Sequence, residues 1–247
     1  MLKRFSIVVP KIVKMFWIDR IGGEKLWALK TVALILSFDF GFWILLGIVF
    51  GDFGDSGASA LAEDMTGTLV VLLLLRAAKR TCLMTLSEMA ITSWWPWKNV
   101  LLGLLLGAGL WLSAGAISVL LRPVLPDWAI LPEEYNFTAQ FAKSHGAERI
   151  ILFFVFGFTT PFIEEVLFRG LIYSILRRAF SVLGTMIISS ALFGLGHIYL
   201  EVGLISFFIG CGLAWLREQC KSLDGPIIAH MTVNCLSLTF FSGDFNV

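Results

Sequence analysis

The sequence predicts an all-α fold: a polytopic transmembrane helical bundle of about seven or eight spans, with an amphipathic N-terminal segment. Three observations predict it. Of the 247 residues, 57% are hydrophobic, against about 45–50% in a soluble domain. The mean hydropathy is +0.85. The apolar residues are gathered into several long runs, the pattern of repeated bilayer crossings. A formal net charge of +1 argues against a nucleic-acid footprint. The four cysteines, Cys82, Cys211, Cys220 and Cys235, stand at no metal or redox spacing and read as small buried hydrophobes.

Residues 1–30 carry seven lysines and arginines, Lys3 to Lys30, among apolar residues, and read as a basic amphipathic segment on the membrane surface. Residues 31–247 read as one transmembrane domain. A first span covers 31–50, interrupted by Asp39, and serves as a signal anchor rather than a cleaved leader. An acidic, Gly-rich loop follows at 51–66. A second, short span ends in the basic cluster Arg76, Lys79 and Arg80. Residues 81–98 read as interfacial, because Trp94, Trp95 and Trp97 beside Lys98 resemble an aromatic belt. A third span covers 99–121, and a loop with three prolines covers 122–147. The fourth span starts near Ile150, the fifth covers 182–200, the sixth 202–216 and the seventh 225–241. His145 falls in the loop as a solvated side chain.

The basic residues lie before the first span, after the second, at 169–178 and at 217–221. Positive charge stays inside, so the expected N-terminus is cytosolic. The chain then reads as an integral protein of a bacterial inner (cytoplasmic) membrane.

The fourth span holds two adjacent acids, Glu164 and Glu165, in one of the most apolar stretches of the chain. A carboxylate at bilayer depth costs roughly 2.5–3.5 kcal/mol on insertion scales, so such a group is by default a candidate functional site. Neighbours on a helix point about 100° apart, so the two acids are not expected to face one spot. Arg169 follows Glu165 by four residues, which makes those two a structural ion pair and leaves Glu164 free as a general base. His197 lies in the fifth span, one turn after Phe193, which can wall its ring. His230 and Asn234 share a face of the seventh span and can present two donors to an oxyanion.

The reaction this set suggests is peptide-bond hydrolysis. Glu164 activates water, His230 and Asn234 hold the oxyanion, and His197 positions the water or protonates the leaving amine. No hydroxyl or thiol has a histidine at a local spacing that marks a nucleophile. Either no cofactor is used, or zinc sits on Glu164, His197 and His230 with an open position for water. A non-catalytic membrane scaffold or immunity-type protein is the alternative, in which the same polar cluster serves stability or partner binding. A proton-coupled transporter would be expected to show internal repeats, and the sequence has no evident one.

Glu164-Glu165-Val-Leu-Phe-Arg169, Phe193-Gly-Leu-Gly-His197 and His230-Met-Thr-Val-Asn234 resemble, in order and helical placement, the three motifs of the CPBP family. That family comprises the type II CAAX prenyl endopeptidases and their bacterial ABI-like relatives. The resemblance covers about residues 148–241, the expected catalytic core. It implies an all-helical intramembrane protease with a cavity open to the cytosol, acting on a peptide or a membrane-anchored or prenylated-type protein. It also implies Glu164, His197, His230 and Asn234 as the site, and its members have been described both with and without metal.

The span model carries one internal conflict. Glu164 and His230 lie near the cytosolic end of their spans. His197 lies about 15 residues beyond Val182, some 22 Å further out at about 1.5 Å per residue. One site needs one depth. Either the fifth span begins later, or the fourth continues through Arg178 and holds Glu164 deeper.

Overall fold

The computed structural model describes residues 26, 28–37, 57–80, 85, 87–91, 95–132, 136–197 and 199–240. Among them the secondary structure is entirely helical. Eight helices are labelled in chain order: α1 Ala28–Ser37, α2 Gly57–Arg80, α3 Trp97–Leu121, α4 Phe137–Lys143, α5 Gly146–Arg177, α6 Val182–Leu195, α7 Leu200–Cys220 and α8 Asp224–Phe240. Helices α3, α5 and α7 are each long and apolar enough to cross a membrane, and α1, α6 and the middle of α2 are shorter apolar helices. Most of the amphipathic segment expected at residues 1–30, with Asp39, Trp94 and Cys82, lies outside the described residues, while its last three residues belong to α1.

Several boundaries move. The loop expected through residue 66 ends earlier, because α2 already begins at Gly57. Its first turns read Ala-Ser-Ala-Leu-Ala-Glu, mostly strong helix formers. The fifth span stops at Leu195 rather than 200, where Gly194 and Gly196 bracket the last helical residue. Its start is set by Ser181, whose hydroxyl accepts from the Gly184 N–H. The loop 122–147 contains a 3₁₀ turn, Asp127–Ala129, and α4, which Asn136 caps through the Thr138 N–H.

Helix α5 is the axis of the bundle. Every residue from Glu165 to Leu176 is buried, as befits a helix that is apolar on all sides. Its Val166, Leu167, Phe168, Leu171, Ile172 and Ile175 form one core with residues of α1, α2, α6 and α8. Helix α3, by contrast, turns Leu101, Leu105, Leu112 and Leu120 outward, the side that meets lipid.

The far end of the bundle from Arg177 is pinned by Glu201, in the first turn of α7. Its carboxylate takes the Arg122 Nε at 2.7 Å, the Ser118 hydroxyl at 2.8 Å and the Leu131 N–H at 3.3 Å. The loop after α3 is thereby held to α7.

Helix α8 packs along α3 at backbone contact. A Cβ on Gly107 would stand 2.6 Å from the Ala229 carbonyl oxygen and 2.7 Å from the Thr232 Cβ. Small residues allow this approach, the usual route to tight helix pairs in membranes. Gly109, two residues on, faces open space. Gly107→Ala should therefore lower the unfolding midpoint of the detergent-solubilised protein by the equivalent of about 1–3 kcal/mol. Gly109→Ala should leave it unchanged or slightly raised.

Candidate active site

The site begins with a break in α5. Pro161 has no N–H, and its ring crowds the preceding turn. The chain widens there into a π turn, Val155–Thr159, with the Thr160 N–H reaching back five residues to the Val155 carbonyl. A second π turn, Val166–Ile172, follows the short α-helical stretch Thr160–Glu165 that carries both acids. Such widened turns recur at functional sites. The first strands carbonyls that Pro161 cannot serve, and α8 serves them. The Asn234 amide donates to the Phe156 carbonyl at 2.8 Å, and the Cys235 thiol points at the Gly157 carbonyl at 3.7 Å. One N–H of the Asn234 amide remains for another acceptor.

Glu165 and Arg169 form the expected ion pair, Nη1 to Oε1 at 2.8 Å, with both side chains fully buried. Glu165 does more than neutralise Arg169. The same Oε1 lies 3.0 Å from His230 Nδ1. Glu164 Oε2 lies 3.7 Å from His230 Nε2, and its side chain is 31% exposed. The expectation that neighbouring acids face different spots is thus corrected. Their directions do diverge, but an imidazole between them meets one acid on each nitrogen. Against a carboxylate, Nδ1 must carry a proton. The Nε2 beside Glu164 is then an acceptor in the neutral ring and a donor only when the ring holds both protons.

His197, like His230, borders Phe193. The Phe193 ring centroid is 5.4 Å from that of His197 and 5.8 Å from that of His230, edge to face in both cases. The His197 Nδ1–H donates to the Phe193 carbonyl at 3.0 Å, one turn back. That leaves Nε2 as the acceptor for the Ser206 hydroxyl of α7, at 3.3 Å. Ser206 is the residue that sequence reasoning missed. It is nine positions from His197 on the next helix, and no local spacing marks it.

The depth conflict resolves in favour of a longer fourth helix. Glu164 is thirteen residues from the end of α5 at Arg177, about 20 Å at helical rise. His197 lies at a similar distance along α6. Tyr173 meets Glu218 across α5 and α7, which keeps the basic ends of these helices level. Glu164 is consequently not near that end, as the shorter span had placed it.

Among the described residues no group of three His, Cys, Asp or Glu side chains is arranged to hold a metal ion. Of the set Glu164, His197 and His230, Glu164 and His230 approach each other at 3.7 Å, while His197 Nε2 is turned to the Ser206 hydroxyl. The described cysteines, Cys211, Cys220 and Cys235, are free and half-buried, and His145 is exposed.

Residues 146–236 match the model of the type II CAAX prenyl endopeptidase Rce1-like family. This Rce1-like segment runs from the first residue of α5 into α8 and contains every side chain of the site. A curated protein described as "Putative membrane peptidase YdiL", from Bacillus subtilis (strain 168), is 30% identical over 84 residues, 34% of each chain. The chain thus spans about a third of the length of that relative. No solved structure matches. The residues before Gly146 lie outside the Rce1-like match.

Asn234→Ala should cost about 1–3 kcal/mol of stability, since it leaves the half-buried Phe156 carbonyl without its donor. In a Pro161→Ala background, residue 161 regains an N–H and the same substitution should cost less than half as much. A double-mutant cycle of unfolding in detergent measures this coupling. Strict additivity would show that Asn234 does not compensate for the proline.

Proposed function

We propose that the chain is an intramembrane endopeptidase whose catalytic core is residues 148–241, with Glu164 as the base that activates water. The observation that carries this reading is His230 held between two carboxylates, one buried against Arg169 and one partly open. In the proposed reaction, water gives a proton to Glu164 while its oxygen bonds to the scissile carbonyl carbon. The resulting oxyanion is held by His230, carrying both ring protons, and by the second N–H of Asn234. Breaking of the C–N bond returns the oxyanion to a carbonyl, and the proton passes from Glu164 to the leaving nitrogen. His197, fixed by the Phe193 carbonyl and Ser206, positions the water or the departing amine.

The proposed reaction is metal-free, in keeping with donors that are not gathered around one point. The substrate class that suits an Rce1-like segment is a peptide or a membrane-anchored, prenylated-type protein cut close to the bilayer. The proposed setting is a bacterial inner membrane with the basic helix ends and the N-terminus in the cytosol.

Glu164→Gln should fold as the parent does and lose roughly 10²–10⁴-fold in cleavage of a reporter peptide in detergent or vesicles. Equal cleavage by the variant would remove Glu164 from the reaction. An undiminished biological role for an inactive variant would favour the scaffold reading instead. Incubation with a strong chelator should leave the rate unchanged, and a loss reversed by added zinc would overturn the metal-free form.

A further inference from the structure

We propose that the cleft at the basic ends of α5 and α7 is a phosphate-binding site, whose position favours the headgroup phosphate of a membrane phospholipid. The cleft has a volume of about 290 Å³ and is lined by Ser174, Arg177, Arg178, Arg217 and the carboxylates Glu88 and Glu218, with Tyr173. A single water needs roughly 10–15 Å³, so the space suits a group the size of a headgroup.

The balance of donors and acceptors sets the chemistry. Each carboxylate already accepts from three donors. Glu218 takes the Arg177 Nε at 3.0 Å and the Tyr173 hydroxyl at 2.9 Å on one oxygen, and the Lys221 Nζ at 2.7 Å on the other. Glu88 takes the Arg178 Nη2 at 2.7 Å on one oxygen and the Thr85 N–H and hydroxyl at 2.7 and 2.9 Å on the other. The Thr85 N–H and hydroxyl, with Arg178, hold the Glu88 carboxyl below the usual carboxylate range, so it keeps its charge and its partner.

Two donors are left over. Among the described residues, Arg217 has no carboxylate within ion-pair distance, and its Nε is buried without a hydrogen-bond partner. Its guanidinium lies 6.0 Å from the Tyr173 ring. The Ser174 hydroxyl is likewise buried and unpartnered, in a side chain only 7% exposed. Buried polar groups are nearly always paired. Unpartnered donors beside carboxylates already engaged with other residues call for an anionic ligand rich in oxygen, and a guanidinium suits a phosphate in particular.

Position selects the source. The cleft lies where two membrane-length helices end, at the level of lipid headgroups. Val182 and Leu183, just beyond Arg178, are 40% and 66% exposed, and Trp215 on α7 is 41% exposed. Basic pockets between transmembrane helices are known seats for lipid headgroups, and these apolar side chains offer a surface to the attached acyl chains. The site is independent of which bond, if any, the Glu164 centre cuts.

The full chain in detergent is titrated with short-chain phosphatidylglycerol, with inorganic phosphate and with the matching diacylglycerol, and the unfolding midpoint is followed. Phosphatidylglycerol should raise the midpoint saturably, phosphate should do so more weakly, and diacylglycerol should not. Arg217→Gln should weaken the phosphatidylglycerol response by roughly tenfold or more, and Ser174→Ala by a smaller factor. Should Arg217→Gln not fold, Arg178→Gln and Ser174→Ala carry the comparison. A response unaltered in all folded variants, or one reproduced by diacylglycerol, would overturn the site. Phosphate binding as tightly as the lipid would overturn the lipid source.

Discussion

The buried pair of Glu165 and Arg169 governs the arrangement of the whole helical core. Removing two charges from water costs several kcal/mol per ion even after relaxation, and attraction repays this only when further bonds complete the set. The set here is partial, since Glu165 Oε2 and Arg169 Nε are buried without a hydrogen-bond partner, and each contact made beyond the pair goes to a different helix. Arg169 Nη2 donates to the Gly210 carbonyl of α7 at 3.2 Å, and its guanidinium lies 4.5 Å from the Phe193 ring of α6. Glu165 reaches His230 of α8. Four helices are thereby registered on one ion pair. Gly210 permits the approach, since a Cβ there would lie 3.2 Å from Arg169 Nη2 and 3.1 Å from the Ser190 Cβ.

Helix α8 carries two of these constraints on one face. His230 meets the acids, and Asn234, one turn later, closes the carbonyl that Pro161 leaves open. The widened turns of α5 and the imidazole that reads its carboxylates are therefore set by the same rigid element. A shift of α8 by one residue would part His230 from Glu165 and uncover the Phe156 carbonyl together. This coupling explains how Glu164 can be partly exposed yet fixed in direction. Its backbone is held from both sides, and its carboxylate faces His230 Nε2 at 3.7 Å.

The fold was legible because bilayer crossing imposes apolar length, and the described helices fall where the apolar runs lie. The site was legible through spacing within single helices. Four residues from Glu165 to Arg169, four from Phe193 to His197 and four from His230 to Asn234 each place two side chains on one face. Contacts made between helices left no such mark. Ser206 joins His197 only because α6 and α7 form a tight hairpin, and the Asn234–Phe156 bond depends on a π turn that no periodicity announces. The length of α5 was hidden for a different reason. Arg177 and Arg178 left open whether the fourth span ended before them or ran on through them, and the structure carries it to Arg177 as one continuous element of 32 residues.

Phe193 decides how the polar side chains are shared. Its ring stands edge to face with both imidazoles and under the Arg169 guanidinium. The two histidines that border this ring have different hydrogen-bond partners. His230 belongs to the carboxylates, with its Nδ1 committed to Glu165. His197 belongs to a backbone carbonyl and a hydroxyl, neither of which carries charge. The Phe-x-x-x-His spacing places Phe193 and His197 one turn apart on α6, but the contacts of Phe193 with His230 and Arg169 cross to other helices and leave no mark in that spacing.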